Sequence, residues 1–183
     1  ASSSSGAMRD FLAEIIERKR HAVAAARRRA PAATLLRRAR GRGDFRSLRA
    51  ALAAPGVRVI AEIKRASPSR GPLRPALDPA ALARAYAAGG AAAVSVLTER
   101  DFFLGGDEDL AAARAAVALP VLRKDFVLDP YQVVEAAAIG ADAVLLIVRI
   151  LDDATLEGLH ALSLALGLEP LVEVFDAGDV ARV

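Results

Sequence analysis

The chain has 183 residues, 54% apolar and only 4% aromatic, with 25 basic against 22 acidic side chains. That size and apolar content suit one domain with a sizeable core and argue against wholesale disorder. The absence of cysteine excludes a disulfide scaffold, an iron–sulfur cluster and thiol catalysis. The two histidines, His21 and His160, lie far apart in Ala/Leu-rich sequence, which disfavours a histidine-based zinc site or a Ser-His-Asp triad. No metal or cofactor is called for. The longest apolar stretch, residues 136–150, is broken by Asp142 and Arg149. It falls short of the roughly 20 residues that span a bilayer, and no secretory signal pattern precedes it. The expectation is a soluble, cytoplasmic chain with no membrane partner. Residues 1–7 (ASSSSGA) read as a cloning remnant ahead of Met8.

Charge divides the rest. Residues 8–56 are strongly basic, whereas residues 57–183 carry more acidic than basic side chains. Within the basic extension, Phe11, Leu12, Ile15 and Ile16 give one apolar helical face. A second short helix is expected over 45–53, and Pro55-Gly56 close the segment. From residue 57 the pattern alternates. A strand over 57–63 is followed by a helix over 78–88, with Asp78 as N-cap and Pro79 in its first turn. A strand over 93–97 leads to a helix over 106–116, and a strand over 120–125 to a helix over 129–139 with the same Asp-Pro start. A strand over 143–148 precedes a helix over 152–166. A fifth strand covers 170–174, and 177–183 opens a further helix. Repeats of this length require parallel strands joined by crossovers, and the continuous apolar runs fit strands covered on both faces. The fold class is α/β. A (β/α) barrel and a doubly wound sheet both fit. No Gly-rich dinucleotide fingerprint follows any strand, and Gly89-Gly90 reads as a helix stop. Polar residues at several strand ends favour the barrel, whose active sites assemble there.

The first strand ends Glu62-Ile63-Lys64. Alternation puts Glu62 and Lys64 on one face, as an active pair or as a structural ion pair. Ser67 and Ser69 follow on the loop. The third strand ends Leu122-Arg123-Lys124-Asp125-Phe126, with Leu122, Lys124 and Phe126 on one face. A lysine beside an aromatic ring can act as a general acid. Only three of the basic residues are lysines: Lys19, Lys64 and Lys124. Two of these stand at strand ends, where a proton can be exchanged as arginine cannot. Glu173, in the apolar fifth strand, is expected to be buried with a raised pKa or an ammonium partner, facing Lys124 across the mouth; the alternative is that it caps a helix. Phe102 and Phe103, on the loop after the second strand, either clamp a flat substrate or form a lid over the core.

Five ordered segments resemble the indole-3-glycerol phosphate synthase family of tryptophan biosynthesis. They are the run Val59-Ile60-Ala61-Glu62-Ile63-Lys64-Arg65-Ala66-Ser67-Pro68-Ser69, the run Ser95-Val96-Leu97-Thr98-Glu99 with Phe103 and Gly105, the Leu122–Phe126 run, Gly140-Ala141-Asp142-Ala143-Val144-Leu145-Leu146-Ile147, and Glu169-Pro170-Leu171-Val172-Glu173-Val174. Phe11-Leu12-Ala13-Glu14-Ile15 with Lys19-Arg20 resembles the family's N-terminal helix. The resemblance implies a (β/α)8 TIM barrel, here about five βα units over 57–183 behind the 8–56 extension. It implies ring closure, decarboxylation and dehydration of 1-(2-carboxyphenylamino)-1-deoxyribulose 5-phosphate. By the same resemblance Lys124 is the general acid and Glu173 an acid–base partner for dehydration. Lys64 binds substrate anions with Glu62 holding it, Ser67 anchors substrate, and Phe103, Phe126 and Leu145 line the aromatic pocket.

The family has eight strands and this sequence carries five, so the expectation includes a truncated form, inactive alone or completed by self-association or by a complementing chain. Three other readings compete. One is a different phosphate-binding barrel, against which the set Glu62, Lys64, Lys124 and Glu173 argues. Another is a nucleic-acid module using Arg27-Arg28-Arg29, Arg37-Arg38, Arg40 and Arg42; with no interleaved aromatics, a solvated helix face is preferred. The last is a non-catalytic fragment that pairs through exposed sheet edges.

Overall fold

Runs of Val, Leu, Ile and Ala build one five-stranded parallel sheet in this computed structural model, which describes residues 2–183, with side chains described from Phe11 onward. Ala1, at the head of the stretch 1–7, lies outside the described residues. The chain opens with helices α1 (Ser2–Arg29), α2 (Ala32–Arg40) and α3 (Leu48–Ala53). It continues through β1 (Ile60–Ile63), a short hairpin of β2 (Ala66–Ser67) and β3 (Gly71–Pro72), and α4 (Pro79–Ala88). Then come β4 (Ala93–Leu97), α5 (Asp107–Ala116), β5 (Val121–Lys124), α6 (Pro130–Ile139) and β6 (Ala143–Ile147). A 3-10 turn over Val148–Ile150 leads to α7 (Asp153–Ala165), β7 (Glu169–Glu173) and α8 (Ala177–Val180).

Sheet order settles the choice of architecture. The strands lie as β1-β4-β5-β6-β7, each beside its predecessor in the chain, and every pairing is parallel. A doubly wound sheet reverses order at a switch point; this one does not, which is the winding of a barrel wall. One face carries the helix layer, with Val94, Val96, Val121, Val144 and Leu146 packed against Leu110, Val133, Ala136 and Leu159. The other is the interior face, where Ala93, Leu122, Ala143 and Leu145 pack against Leu48 and Leu52 of α3. Asp78, Asp129 and Asp152 cap α4, α6 and α7 by accepting backbone N–H bonds.

Three features differ from the sequence expectation. The first strand starts at Ile60 rather than 57, where the side chains of Val57 and Val59 are 92% and 51% exposed and bury little against the core. Helix α2 was not foreseen: its apolar stripe is only Leu35 and Ala39, hidden among arginines. The β2–β3 hairpin was read as loop; two-residue strands leave no periodicity to detect.

The amino-terminal end of the sheet is tied by Asp142, which is fully buried. Its carboxylate accepts from the backbone N–H groups of Arg46 (3.1 Å) and Val121 (2.9 Å) and pairs with Arg114 Nε at 3.1 Å. Arg42 and Arg46, from the basic extension, donate to the carbonyls of Ala137, Ala141, Val117 and Leu119. Arg37, Arg38 and Arg40 lie exposed on α2. Among the described residues no helix is long and apolar enough to cross a membrane. Asp142→Ala leaves the N–H groups of Arg46 and Val121 without their acceptor and removes the fully buried counter-charge beside Arg114 and Arg42, so it should lower stability by about 3–5 kcal/mol. Urea unfolding at pH 7 measures this, with an unchanged midpoint as the contrary result.

Candidate active site

At the carboxyl end of the sheet the side-chain alternation predicted for β1 and β5 places three charged groups together. Glu62 Oε1 lies 2.8 Å from Lys64 Nζ, and Glu62 Oε2 accepts a 3.0 Å hydrogen bond from Lys124 Nζ. One carboxylate thus bridges two ammonium groups from strands separated by β4. The three are 28–38% exposed, reachable from solvent but partly stripped of it. Burial pushes the Glu62 carboxyl up, but hydrogen bonds from Lys64 and Lys124, with their charges, outweigh it and hold it below the ordinary carboxylate range. At neutral pH Glu62 is ionised.

These groups stand in a cleft of about 210 Å³ with Leu97, Phe103, Phe126, Leu145, Ile147 and Glu173 on its walls. The rings of Phe103 and Phe126 are 6.3 Å apart at 43°. Seven of the eight sequence-derived site residues therefore line one cleft. Ser67 is the exception: it sits in the hairpin and is not on the cleft wall. Glu173 was expected buried against an ammonium. It is exposed, with no salt bridge among the described residues, because β7 is the last strand of the sheet and is covered on one edge only. Lys124 finds its carboxylate in Glu62 instead.

The two aromatics of the β4–α5 loop take different parts. Phe102 packs edge-on against Phe11 of α1, centroids 5.2 Å apart, beneath the Arg18 guanidinium. Phe103 turns into the cleft. The loop holds this split because the buried Glu99 carboxylate accepts from the N–H groups of Asp101 (3.1 Å), Phe102 (2.7 Å) and Phe103 (3.1 Å). The loop closes at Gly105, where a Cβ would lie 2.0 Å from the Leu97 carbonyl oxygen, so only glycine fits. The hairpin joins it through Ala66 N–H to Phe103 O at 3.2 Å.

Behind β5 lies a set of charges that sequence reasoning missed. Lys19 of α1 is 2.7 Å from Asp125 Oδ1 and 3.8 Å from Glu99 Oε1. Asp125 Oδ2 also accepts from Thr98 Oγ1 at 2.7 Å. Arg123, 4% exposed, donates to Thr98, Asp107, Glu135 and the Gln132 carbonyl. The scarcity of lysine was the available signal: Lys19, like the other two, stands at the strand ends. Among the described residues no cluster of three or more His, Asp or Glu side chains has metal-holding geometry.

Residues 12–183 match the sequence profile of the family described as indole-3-glycerol phosphate synthase. The chain belongs to the indole-3-glycerol phosphate synthase family. Its relatives include the indole-3-glycerol phosphate synthases of Desulfosudis oleivorans (53% identical over 177 residues), Bordetella pertussis (50% over 177) and Rhizorhabdus wittichii (49% over 179). The matches cover 94–96% of this chain and 67–68% of each relative. Membership makes the chain a carboxy-lyase of the tryptophan-biosynthetic type, on a TIM-barrel wall of which five strands are present.

Asp125 links this site to acid stability. Burial pushes its carboxyl up, but Lys19 and Arg123 outweigh burial and lower it. A carboxylate with a depressed folded value contributes stability above its unfolded value of about 3.9. That contribution is lost as pH falls through the lower folded value. Asp125→Asn should therefore destabilise the protein at pH 7 and flatten the decline of unfolding free energy below about pH 4. Denaturant titrations from pH 7 to pH 2 test this; a parallel decline in both proteins is the contrary result.

Proposed function

We propose that the cleft converts 1-(2-carboxyphenylamino)-1-deoxyribulose 5-phosphate to indole-3-glycerol phosphate, carbon dioxide and water. The observation that carries this reading is the pair of lysines, Lys64 and Lys124, held on Glu62 between two aromatic walls. The substrate has a flat ring, a carboxylate and a phosphorylated sugar. Ring stacking suits Phe103 and Phe126 with Leu145 beside them, and the anionic groups suit the ammonium ions. Ser67, on the hairpin above, anchors the sugar end.

Bond formation is drawn in balance. The ring carbon that bears the carboxylate attacks the sugar carbonyl carbon, and Lys124 delivers its proton to the carbonyl oxygen as the new bond forms. The carboxylate leaves as carbon dioxide, and its bond electrons restore the ring's aromaticity. The hydroxyl made at the former carbonyl then departs as water, driven by the nitrogen lone pair. Lys64 protonates the departing hydroxyl, and Glu173 accepts the proton lost from the adjacent carbon or nitrogen. Glu62 holds both lysines in place until the substrate's anions arrive.

Product fluorescence on purified protein tests the reading. Lys124→Ala should lower kcat by about 10²–10⁴-fold, the usual worth of a general acid. Lys124→Arg should stay nearly as inactive, since a guanidinium keeps the charge but does not release the proton. Glu173→Gln should slow the dehydration phase after a normal ring closure. Full activity in Lys124→Ala would overturn the assignment.

A second reading is favoured by one observation. β1 and β7 lie at the two ends of the sheet order, and Val59 and Phe175, next to them in the chain, are 51% and 77% exposed. Such edges support self-association or docking of a complementing βα segment. Light scattering over a hundredfold range of concentration distinguishes this: growth in mass supports it, and a constant monomer mass rejects self-association.

A further inference from the structure

Two of the three lysines belong to the cleft, and the third has no part in the chemistry proposed for it. Lys19 is 8% exposed on α1, on the far side of β5 from Lys124. Its Nζ faces two carboxylates, Asp125 and Glu99, each 3% exposed. Each carboxylate also grips backbone. Asp125 Oδ1 accepts the N–H of Phe126 at 2.8 Å, and Glu99 Oε2 accepts those of Phe102 and Phe103 at 2.7 and 3.1 Å. Phe126 and Phe103 are the two rings that face each other in the cleft. A single ammonium therefore faces both groups that fix the backbone beneath the aromatic walls.

Docking of α1 does not need that charge. Ile15 and Val23, one helical turn to either side of Lys19, are buried. Phe11 meets Phe102, Arg27 pairs with Asp129, and Tyr131 Oη donates to the Ala30 carbonyl at 3.0 Å. What does need the charge is the neighbouring pair of buried carboxylates. Without a cation they repel, and the weaker-held one moves or takes up a proton. Asp125 keeps Arg123 at 3.7 Å, whereas the only cation within 4.0 Å of Glu99 among the described residues is Lys19. Glu99 is thus the group that yields, and with it the turn bearing Phe103.

We propose that Lys19 is a positioning residue for substrate binding: through Glu99 and Asp125 it sets the separation of the Phe103 and Phe126 rings. The proposal rests on the function proposed above for the cleft, since it gives that ring separation its use. It differs from a role in anchoring α1 by requiring the charge and not the stem.

Lys19→Met keeps the stem and removes the charge. Amide exchange by NMR should show the Phe102 and Phe103 N–H groups exchanging about tenfold faster or more, with those of Val144 and Leu146 in β6 unchanged. KM for the carboxyphenylamino substrate should rise about tenfold while kcat changes less than about threefold. Lys19→Met/Glu99→Gln removes one carboxylate together with the cation. It should return both loop protection and KM toward wild type. Unchanged exchange in Lys19→Met overturns the proposal, as does a double variant no better than the single one. If the wild type forms no product, the proposed function fails, and the exchange rates of the single and double variants still decide whether Lys19 sets the loop.

Discussion

Asp125 carries its charge at 3% exposure, and it does so because Lys19 and Arg123 face it. This pairing fixes the orientation of everything at the carboxyl end of the sheet. Arg123 and Asp125 point away from the cleft, so the alternation of β5 sends Lys124 and Phe126 into it. The outward residues hold α1, the β4–α5 loop and α6 to the sheet; the inward ones present an ammonium and a ring to a ligand. A one-residue slip of β5 would bury Lys124 among the helices and open Asp125 to the cleft. The buried ion pair therefore specifies register as much as it stabilises, and it does so within two residues of the site.

The two ends of the sheet handle charge differently. At the amino-terminal end Arg42, Arg46 and Arg114 donate to carbonyl oxygens and to the buried Asp142, using a fork of donors that reaches several acceptors at once. These donors are taken up by protein acceptors, and the arrangement reads as stability. At the carboxyl end the cations that meet Glu62 are lysines, single-point charges on flexible stems that leave donor capacity free for a ligand. A barrel places stability at one face and chemistry at the other; in this chain the three lysines gather at the carboxyl end, while arginine serves both ends, Arg123 included.

Much of this was legible in the sequence because it depends on local periodicity. β4 spans the expected residues, the Asp-Pro starts of α4 and α6 cap as read, and Glu62 and Lys64 share a face because alternation requires it. What escaped depends on neighbours distant in the chain. The bond from Lys124 to Glu62 crosses β4, and no spacing rule reports a contact between strands that are not neighbours in the sheet. Glu173 sits where predicted along β7, but its exposure follows from having a neighbour on one edge only. Phe102 and Phe103 are adjacent in sequence, and spacing alone offered both the same alternatives, clamp or lid; the grip of Glu99 on three successive N–H groups turns them to opposite sides. Helix α2 was lost because arginine masks a stripe of two apolar residues.

The charge count of the cleft bears on how a substrate would be held. Glu62 is ionised between two ammonium groups, which leaves one net positive charge, and Glu173 at the rim balances it. An empty cleft near neutrality costs little desolvation and needs no bound counter-ion. Under the proposed function, a ligand with a carboxylate and a phosphate changes that balance: each anion competes with Glu62, which sits 2.8 and 3.0 Å from its two ammonium partners. Either lysine freed from Glu62 would then meet the ligand with its proton and its charge in the same place. The apolar walls strengthen that contact by excluding water around it. On the proposed function, then, the lysines are held by a carboxylate that a suitable anion can replace, and the rings select which anions come close enough to do so.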